Sequence, residues 1–345
     1  MIEFTPSNAV YTPLESSSYA LQAIERMRNQ KMRGLNLDIA EIRDYFAPLM
    51  PGQVASIIAQ TSQYKSGFLH FWERKAALQL MQENRLDESI IHVSVEEIIE
   101  EQMFLELSRE TGDKISDLSR GQVQDWSKLE QAAVRVGQIP IYRIGESIAR
   151  AEDMPKLYLS NMIRSLVDLV DGKVSGEKIK PAAIFFDYLQ AFPIDPEIQA
   201  NGDVNTQRRL QVRSDLYRLR QAAAYFDCPV VVAIQAKQFL DGAAGKDWQV
   251  PGIYDGEESS SIAQRSDRII QLWMPKQTHP IGYEINHKAV SFTVTENIIV
   301  LKVGKQRGGL PSGRSWVLQV DFAKNEIAPQ MLQANSKSVK FWYDD

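Results

Sequence analysis

The feature that most constrains the fold is a rhythm that begins at Pro51. Short apolar runs recur at 54–59, 90–95, 139–144, 182–186, 230–234 and 268–273, and each is read as followed by a long helical pattern. Unbroken apolar runs, as opposed to alternating ones, mark strands covered on both faces. Strands separated by helices pair in parallel. The expectation is an α/β fold with a mostly parallel central sheet and helices on both faces. Two further runs, 298–303 and 316–322, have no helix between them and suit a C-terminal antiparallel hairpin around "GKQRGGLPSG".

What precedes the rhythm differs from it. In "SSSYALQAIERMRNQKMRG" the serines offer caps, Leu21, Ile24 and Met27 recur at helical spacing, and Gly34 supplies a stop. The chain is therefore expected to divide into an N-terminal arm with a linker-type helix (1–34), a sheet domain (35–330) and a C-terminal tail (331–345). No separate N-terminal domain is expected ahead of the sheet domain.

Composition excludes several classes of function. With a net charge of -5 over 345 residues, the chain is not a general polyanion binder, so any nucleic-acid contact must come from a local basic patch. The one cysteine, Cys228, cannot close an internal disulfide and reads as a small buried hydrophobe. The four histidines show no ligand spacing. There is no signal peptide at the start and no run of about 20 apolar residues, so the expected location is cytoplasmic, with no membrane partner.

Two long loops follow the C-terminal ends of predicted central strands, "PIDPEIQANGDVNTQ" and "LDGAAGKDWQVPGIYDGEESSS". That edge of an open α/β sheet is where ligands bind. The first strand leads into "AQTSQYKS", residues 59–66. A phosphate loop wraps backbone N–H groups around phosphate oxygens at a helix N-terminus, with a lysine reaching the phosphates and a hydroxyl holding Mg²⁺. This stretch has the length, Lys65 and Ser66. It lacks both glycines of the motif, and Tyr64 stands directly before the lysine. Alone it is weak, because Lys-Ser often opens a helix.

Other segments add to it. "AAIFFDYLQAF" ends a strand in Asp187, placed to hold Mg²⁺. "IIHVSVEE" ends another in Glu96 and Glu97, where a carboxylate orients water or merely favours a helix N-terminus. "VVVAIQAKQ" ends a third in Gln235, able to sense a γ-phosphate.

In this order the segments resemble the RecA-like motor domain of DnaB-type replicative ring helicases, over about 35–329. The pieces that carry the resemblance are "LMPGQVASIIAQTSQYKS", "VSVEE", "FFDYLQAF", "DCPVVVAIQAKQ", "ESSSIAQRSDRIIQLW" and "VLKVGKQRGGLPSG". The resemblance implies a P-loop NTPase fold, ATP and Mg²⁺ as cofactors, and Ser62, Gln63, Tyr64, Lys65, Ser66 and Gly67 around the phosphates. It further implies Ser66 and Asp187 at the metal, Glu96 positioning water, and Gln235 as the third motif. Lys305 and Arg307 would reach the ATP of an adjacent subunit, and Asp267 matches a family position. Single-stranded DNA, a ring of like subunits (a hexamer) and other replication proteins are the implied partners.

The chain departs from the family pattern at Tyr64, where the family has glycine, and at Lys237 and Gln238, where it has asparagine and arginine. DNA contact is expected from the channel-facing loops, through Arg208 or Arg209 in "TQRRLQVRSDLYRLRQ" and through Lys237 and Lys246. The bland reading of those arginines is a solvated helix face paired with Asp215. Two functions therefore stand side by side: an ATP-driven helicase, and a non-motor RecA-fold DNA-binding or scaffold protein with a degenerate nucleotide site. A recombinase or clock-type ATPase fits "DYLQ" and "GKQRGG" less well.

Overall fold

A computed structural model describes residues 12–29, 34–145, 154–196, 198, 203–237, 247–256, 261–287, 290–308 and 312–329. The chain divides into two units, Met1–Gly34 and Leu35–Asp345. In the first lies helix α1 (Pro13–Asn29). It starts three residues ahead of the helix expected from the serines, because proline is well suited to a first turn.

In the second unit the chain runs through α2 (Ala40–Arg43), β1 (Val54–Ala59), α3 (Lys65–Gln82), β2 (Glu88–Ser94), α4 (Ile99–Thr111), α5 (Ile115–Leu118), α6 (Trp126–Gly137) and β3 (Ile141–Ile144). It continues through α7 (Leu159–Val170), β4 (Lys180–Asp187), α8 (Val204–Tyr225), β5 (Val230–Gln235), α9 (Ser261–Arg265), β6 (Arg268–Trp273), β7 (Glu284–His287) and β8 (Val290–Thr293). It closes with β9 (Ile298–Gln306), β10 (Arg314–Asp321) and β11 (Glu326–Pro329).

Nine strands form one sheet in the order β11-β10-β9-β6-β1-β5-β4-β2-β3. The six strands from β6 to β3 pair in parallel. β9, β10 and β11 add to the β6 edge in antiparallel fashion. The parallel part and the β9–β10 hairpin follow the apolar rhythm. The sequence reading missed β11 and the separate β7–β8 hairpin, whose four-residue strands are too short to give a periodic signal.

β1 shows why the runs are unbroken. All six of its residues are buried. Ala55, Ile57 and Ala59 enter one core, Val54 and Ile58 the other. The first core is closed by α3 and by Leu37, Ile42, Phe46 and Leu49 from the segment before β1. The second is closed by α7 and α8 through residues such as Leu166 and Leu219. Trp72 of α3 is fully buried, meets Phe46 and Phe185 edge-on at 5.6 and 6.0 Å, and donates Nε1–H to the Asn36 carbonyl at 2.7 Å. Each large side chain buried this way stabilises the fold by roughly 1.5–3 kcal/mol.

The register decides where the chemistry sits. Ala59 pairs with Gln235, and Ser94 with Asp187. The residues that follow β1 and β2 and those that end β4 and β5 therefore emerge along one edge of the sheet, flanking the strand-order reversal at β1.

Candidate functional site

The turn between β1 and α3 is built on two left-handed residues, Ser62 at φ 60° and Tyr64 at φ 67°, ψ 26°. Such a conformation costs a non-glycine residue roughly 1–2 kcal/mol. Tyr64 thus keeps the backbone shape a glycine would supply, and its side chain is fastened elsewhere. The ring meets Phe322 edge-on at 5.4 Å, and the hydroxyl donates to Asn325 Oδ1 in the β10–β11 turn. Asn325 Nδ2 in turn donates to the Gly67 carbonyl at 2.9 Å. Burial pushes the Tyr64 hydroxyl pKa far above its usual value. The ring lies across Gly67, where an added Cβ would fall 2.2 Å from Tyr64 Cε2. Tyr64 and Gly67 are therefore an interlocked pair.

Tyr64 caps α3 with no side-chain hydrogen bond, so the first amides of an 18-residue helix are open to an anion. Lys65 Nζ donates to Gln235 Oε1 at 2.8 Å and lies over the Tyr188 ring at 5.4 Å. Gln235 Nε2 donates to Thr61 Oγ1 at 2.5 Å. Its main chain is clasped by the Gln190 amide, which accepts from Gln235 N at 3.0 Å and donates to Gln235 O at 3.2 Å. The loop, its lysine and the end of β5 are thereby one hydrogen-bonded unit.

These residues line a cavity of about 840 Å³, within the usual size of ligand pockets. Thr61, Ser62, Tyr64, Lys65, Ser66, Gly67, Glu96, Gln235 and Lys237 form one end of its lining, and Met274, Lys276, Gln277 and Phe322 contribute from β6, its following turn and the β10–β11 turn. Gln63 is not on the cavity. Its side chain is buried and accepts from the Met274 amide at 2.5 Å, tying the loop to the end of β6.

Glu96 faces the cavity. Its pKa is raised, first by partial burial and then by repulsion from Asp187, with Lys65 opposing. Asp187 is fully buried at the end of β4, and neither of its carboxylate oxygens has a hydrogen-bond partner. Burial and then Glu97 push its pKa up, and Ser66 acts the other way. A buried carboxylate with both oxygens unsatisfied, next to a serine that opens a helix, fits a hard cation held by oxygen ligands.

Glu97, unlike Glu96, does not line the cavity. It accepts from His70 Nε2 at 2.7 Å. His70 Nδ1 pairs with Glu73 Oε1 at 2.8 Å, and His92 Nδ1 with Glu73 Oε2 at 2.7 Å. The two imidazoles stack at 5.0 Å. The absence of ligand spacing among the histidines is corrected here: α3 and β2 pair side by side in space, so two histidines far apart in the chain share one carboxylate. The signal available in sequence was a polar residue at fully apolar positions, His92 within β2 and His70 and Glu73 within α3. Tyr188, Gln190, Lys276, Gln277 and Phe322 were likewise missed, because nothing in their local pattern points to a pocket.

Of the remaining predicted residues, Lys305, Arg307, Arg208 and Arg209 lie off this cavity. Lys305 Nζ donates to the Ala263 and Ser266 carbonyls, the latter at 2.7 Å, and burial followed by Arg307 lowers its pKa. Arg307 donates to Asp267 Oδ1 and to the Gln264 carbonyl, each at 3.0 Å. Asp267 is buried and accepts from the Val54 amide at 3.0 Å, linking this cluster to the start of β1. On α8, Arg208 donates to the Phe192 carbonyl at 2.9 Å and Arg218 pairs with Asp195 at 3.0 Å, whereas Arg209 is exposed. Lys237, expected in a DNA-facing loop, lines the cavity instead and accepts at its carbonyl from Gln60 Nε2 at 2.9 Å. Lys246, Gln238 and the tail 331–345 lie outside the described residues.

The sequence and the fold match known proteins. The sequence profile of the DnaB-like helicase C-terminal domain covers residues 34–325. Among solved structures, one described as an ATPase domain superposes with a TM-score of 0.69 at 16% identity, covering 93% of this chain and 99% of that one. A DnaB-like replicative helicase, described with its interactions with primase, superposes with a TM-score of 0.67 at 15% identity, covering 92% of this chain and 67% of that one. Comparison with curated protein sequences finds no match. Among the described residues no helix is long and apolar enough to cross a membrane. The chain belongs to the family of DnaB-like helicase C-terminal domains, and its fold is that of their RecA-like ATPase domain.

Proposed function

We propose that this chain is an ATP-driven translocase on single-stranded DNA that works as a ring, with six subunits as the expected number. The observation that carries the reading is the convergence of the open amides of α3, Lys65, Gln235 and Glu96 on one cavity above the orphaned Asp187 carboxylate. Lys65 and the loop amides bind the phosphates. Ser66 and Asp187 would hold Mg²⁺, which supplies charge neutralisation on the phosphate oxygens. Glu96 holds the attacking water and takes its proton, a role its raised pKa suits. Gln235 bridges Lys65 and Thr61, so a phosphate drawing Lys65 away also releases Gln235.

Lys305 and Arg307 lie on β9 and just beyond it, away from the residues that line this cavity, which supports their action on a neighbouring subunit's nucleotide. Arg208, Arg209 and the segment containing Lys246 supply the basic groups for DNA. Contact with primase or other replication proteins is a proposal from the likeness to the replicative helicase.

One observation favours a second reading. The interlocked Tyr64 ring occupies the loop that binds phosphate, as in a non-motor protein that has kept the fold. ATP turnover with and without single-stranded DNA, beside ATP binding by the wild type and by Tyr64→Gly, separates the two. DNA-stimulated turnover supports the motor. Absence of binding by both proteins refutes nucleotide use, and mass measurement with nucleotide tests the ring.

A further inference from the structure

Beneath the proposed nucleotide cavity lies a constellation that shares Asp187 with the proposed Mg²⁺ site and adds His70 and Glu97, which ATP use does not require. His70 Nε2, a Glu97 carboxylate oxygen and an Asp187 carboxylate oxygen all lie within 4.8 Å of one another. His70 and Asp187 are buried, and neither Asp187 oxygen has a hydrogen-bond partner. We propose that His70, Glu97 and Asp187 form a binding site for a divalent first-row transition metal, Zn²⁺ or Mn²⁺ in preference to Mg²⁺.

The donor set argues the metal class. One imidazole with two carboxylates suits ions that accept nitrogen, whereas Mg²⁺ takes oxygen and keeps its waters. Zn²⁺ binds nitrogen and carboxylate oxygen at roughly 2.0–2.2 Å, which in a tetrahedral site sets ligand atoms about 3.3–3.6 Å apart. His70 Nε2 and Glu97 Oε2 now stand at 2.7 Å, sharing a proton. Exchanging that proton for the cation requires them to part by less than about 1 Å. The proton leaves to solvent as the metal enters, so binding releases it.

The support behind the imidazole is already in place. Glu73 Oε1 pairs with His70 Nδ1 at 2.8 Å, the carboxylate–histidine arrangement that fixes the ring and presents its other nitrogen to a metal. Glu73 is itself held at its second oxygen by His92 Nδ1 at 2.7 Å. His70 and Glu73 of α3 and His92 of β2 are three polar side chains buried together, which is costly unless they are paired or hold an ion. The site differs from that of a nucleotide-bound Mg²⁺, because it uses His70 and Glu97 and needs no phosphate oxygen.

The test is a calorimetric titration of the full chain with Zn²⁺, without nucleotide and with millimolar Mg²⁺ present, beside a thermal melt with and without Zn²⁺. Wild type is expected to bind one Zn²⁺ tightly, release a proton and melt at higher temperature. Glu97→Gln is expected to bind at least tenfold more weakly. Because Glu97 lies at a partly exposed strand end, this variant keeps the fold, which circular dichroism verifies. Glu73→Gln, acting through His70, is expected to weaken binding 10- to 100-fold. No Zn²⁺ binding by wild type overturns the proposal, as does equal binding by wild type and Glu97→Gln. Since no nucleotide is present, the outcome stands apart from the question of ATP use.

Discussion

The Tyr64–Gly67 pair makes a quantitative prediction. In most helices Gly→Ala stabilises by roughly 1 kcal/mol, because alanine loses less backbone freedom. Gly67 lies in the first turn of α3, yet here the sign is expected to reverse. A Cβ there would fall 2.2, 2.6 and 2.7 Å from three ring carbons of Tyr64, about 1.2 Å short of the 3.4 Å at which ordinary contact begins. The ring cannot simply step aside. It is pinned by its hydroxyl bond to Asn325 and by the edge-on contact with Phe322. Displacing it gives up about 1 kcal/mol of hydrogen bond and about 0.5–1.5 kcal/mol of aromatic pairing.

After the helical gain, Gly67→Ala should destabilise by about 1 kcal/mol in the wild type. In a Tyr64→Gly background the obstruction is gone, and the same change should stabilise by about 1 kcal/mol. The coupling between the two sites is therefore about 2 kcal/mol, within the range for residues in contact. Urea unfolding of the four proteins, followed by tryptophan fluorescence, measures it. Effects that add within about 0.5 kcal/mol would refute the interlock. Tyr64→Phe gives an intermediate point, because the ring stays while the Asn325 bond is lost.

Three further outcomes are expected. Gln235→Ala removes the Oε1 acceptor of Lys65, so ATP turnover should fall at least tenfold while stability changes by about 1 kcal/mol, read by ATPase assay and by unfolding. Arg307→Ala should cut turnover by a factor on the order of 10³ or more if the arginine completes a neighbour's site, with nucleotide affinity of the separated subunit little changed. Equal losses in both would contradict action in trans. Asp215 on α8 is buried, and its pKa is raised to about 7 from an unfolded value of 3.8. The folded chain therefore holds that proton more tightly, and stability should fall as pH rises from about 4 to 7, then level off. A single group contributes at most about 1.4 kcal/mol per pH unit within that window. Asp215→Asn should remove its share of the slope, checked by unfolding at pH 5, 6, 7 and 8.

Much of the candidate site was legible because it is built from the ends of apolar strands. Lys65, Ser66, Asp187, Glu96 and Gln235 each close or follow an apolar run, and the parallel register carries all five to one edge. The pocket's far end was not legible. Lys276, Gln277 and Phe322 come from turns near the antiparallel edge, which approach α3 only because β9 to β11 extend the sheet beside β6. Lys237 reads as a loop lysine in sequence, and only the β5 end carries it to the cavity.

The sequence by itself determined the class of fold. Unbroken apolar strands alternating with helices can bury both faces only as a covered parallel sheet, a local pattern that needs no partner to be read. It also placed Lys65, Ser66, Glu96, Asp187 and Gln235 at or after the ends of apolar strands, although the sheet order β1-β5-β4-β2 differs from the order along the chain. Tertiary structure alone decided what Tyr64 does, because its left-handed backbone is tolerated through contacts with Phe322 and Asn325, the latter 261 residues away. It alone decided that Glu96 and Glu97, adjacent in sequence, face a cavity and a buried histidine respectively. Side chains of neighbouring residues at a strand end diverge, and which surroundings each one meets depends on what the rest of the fold has packed there.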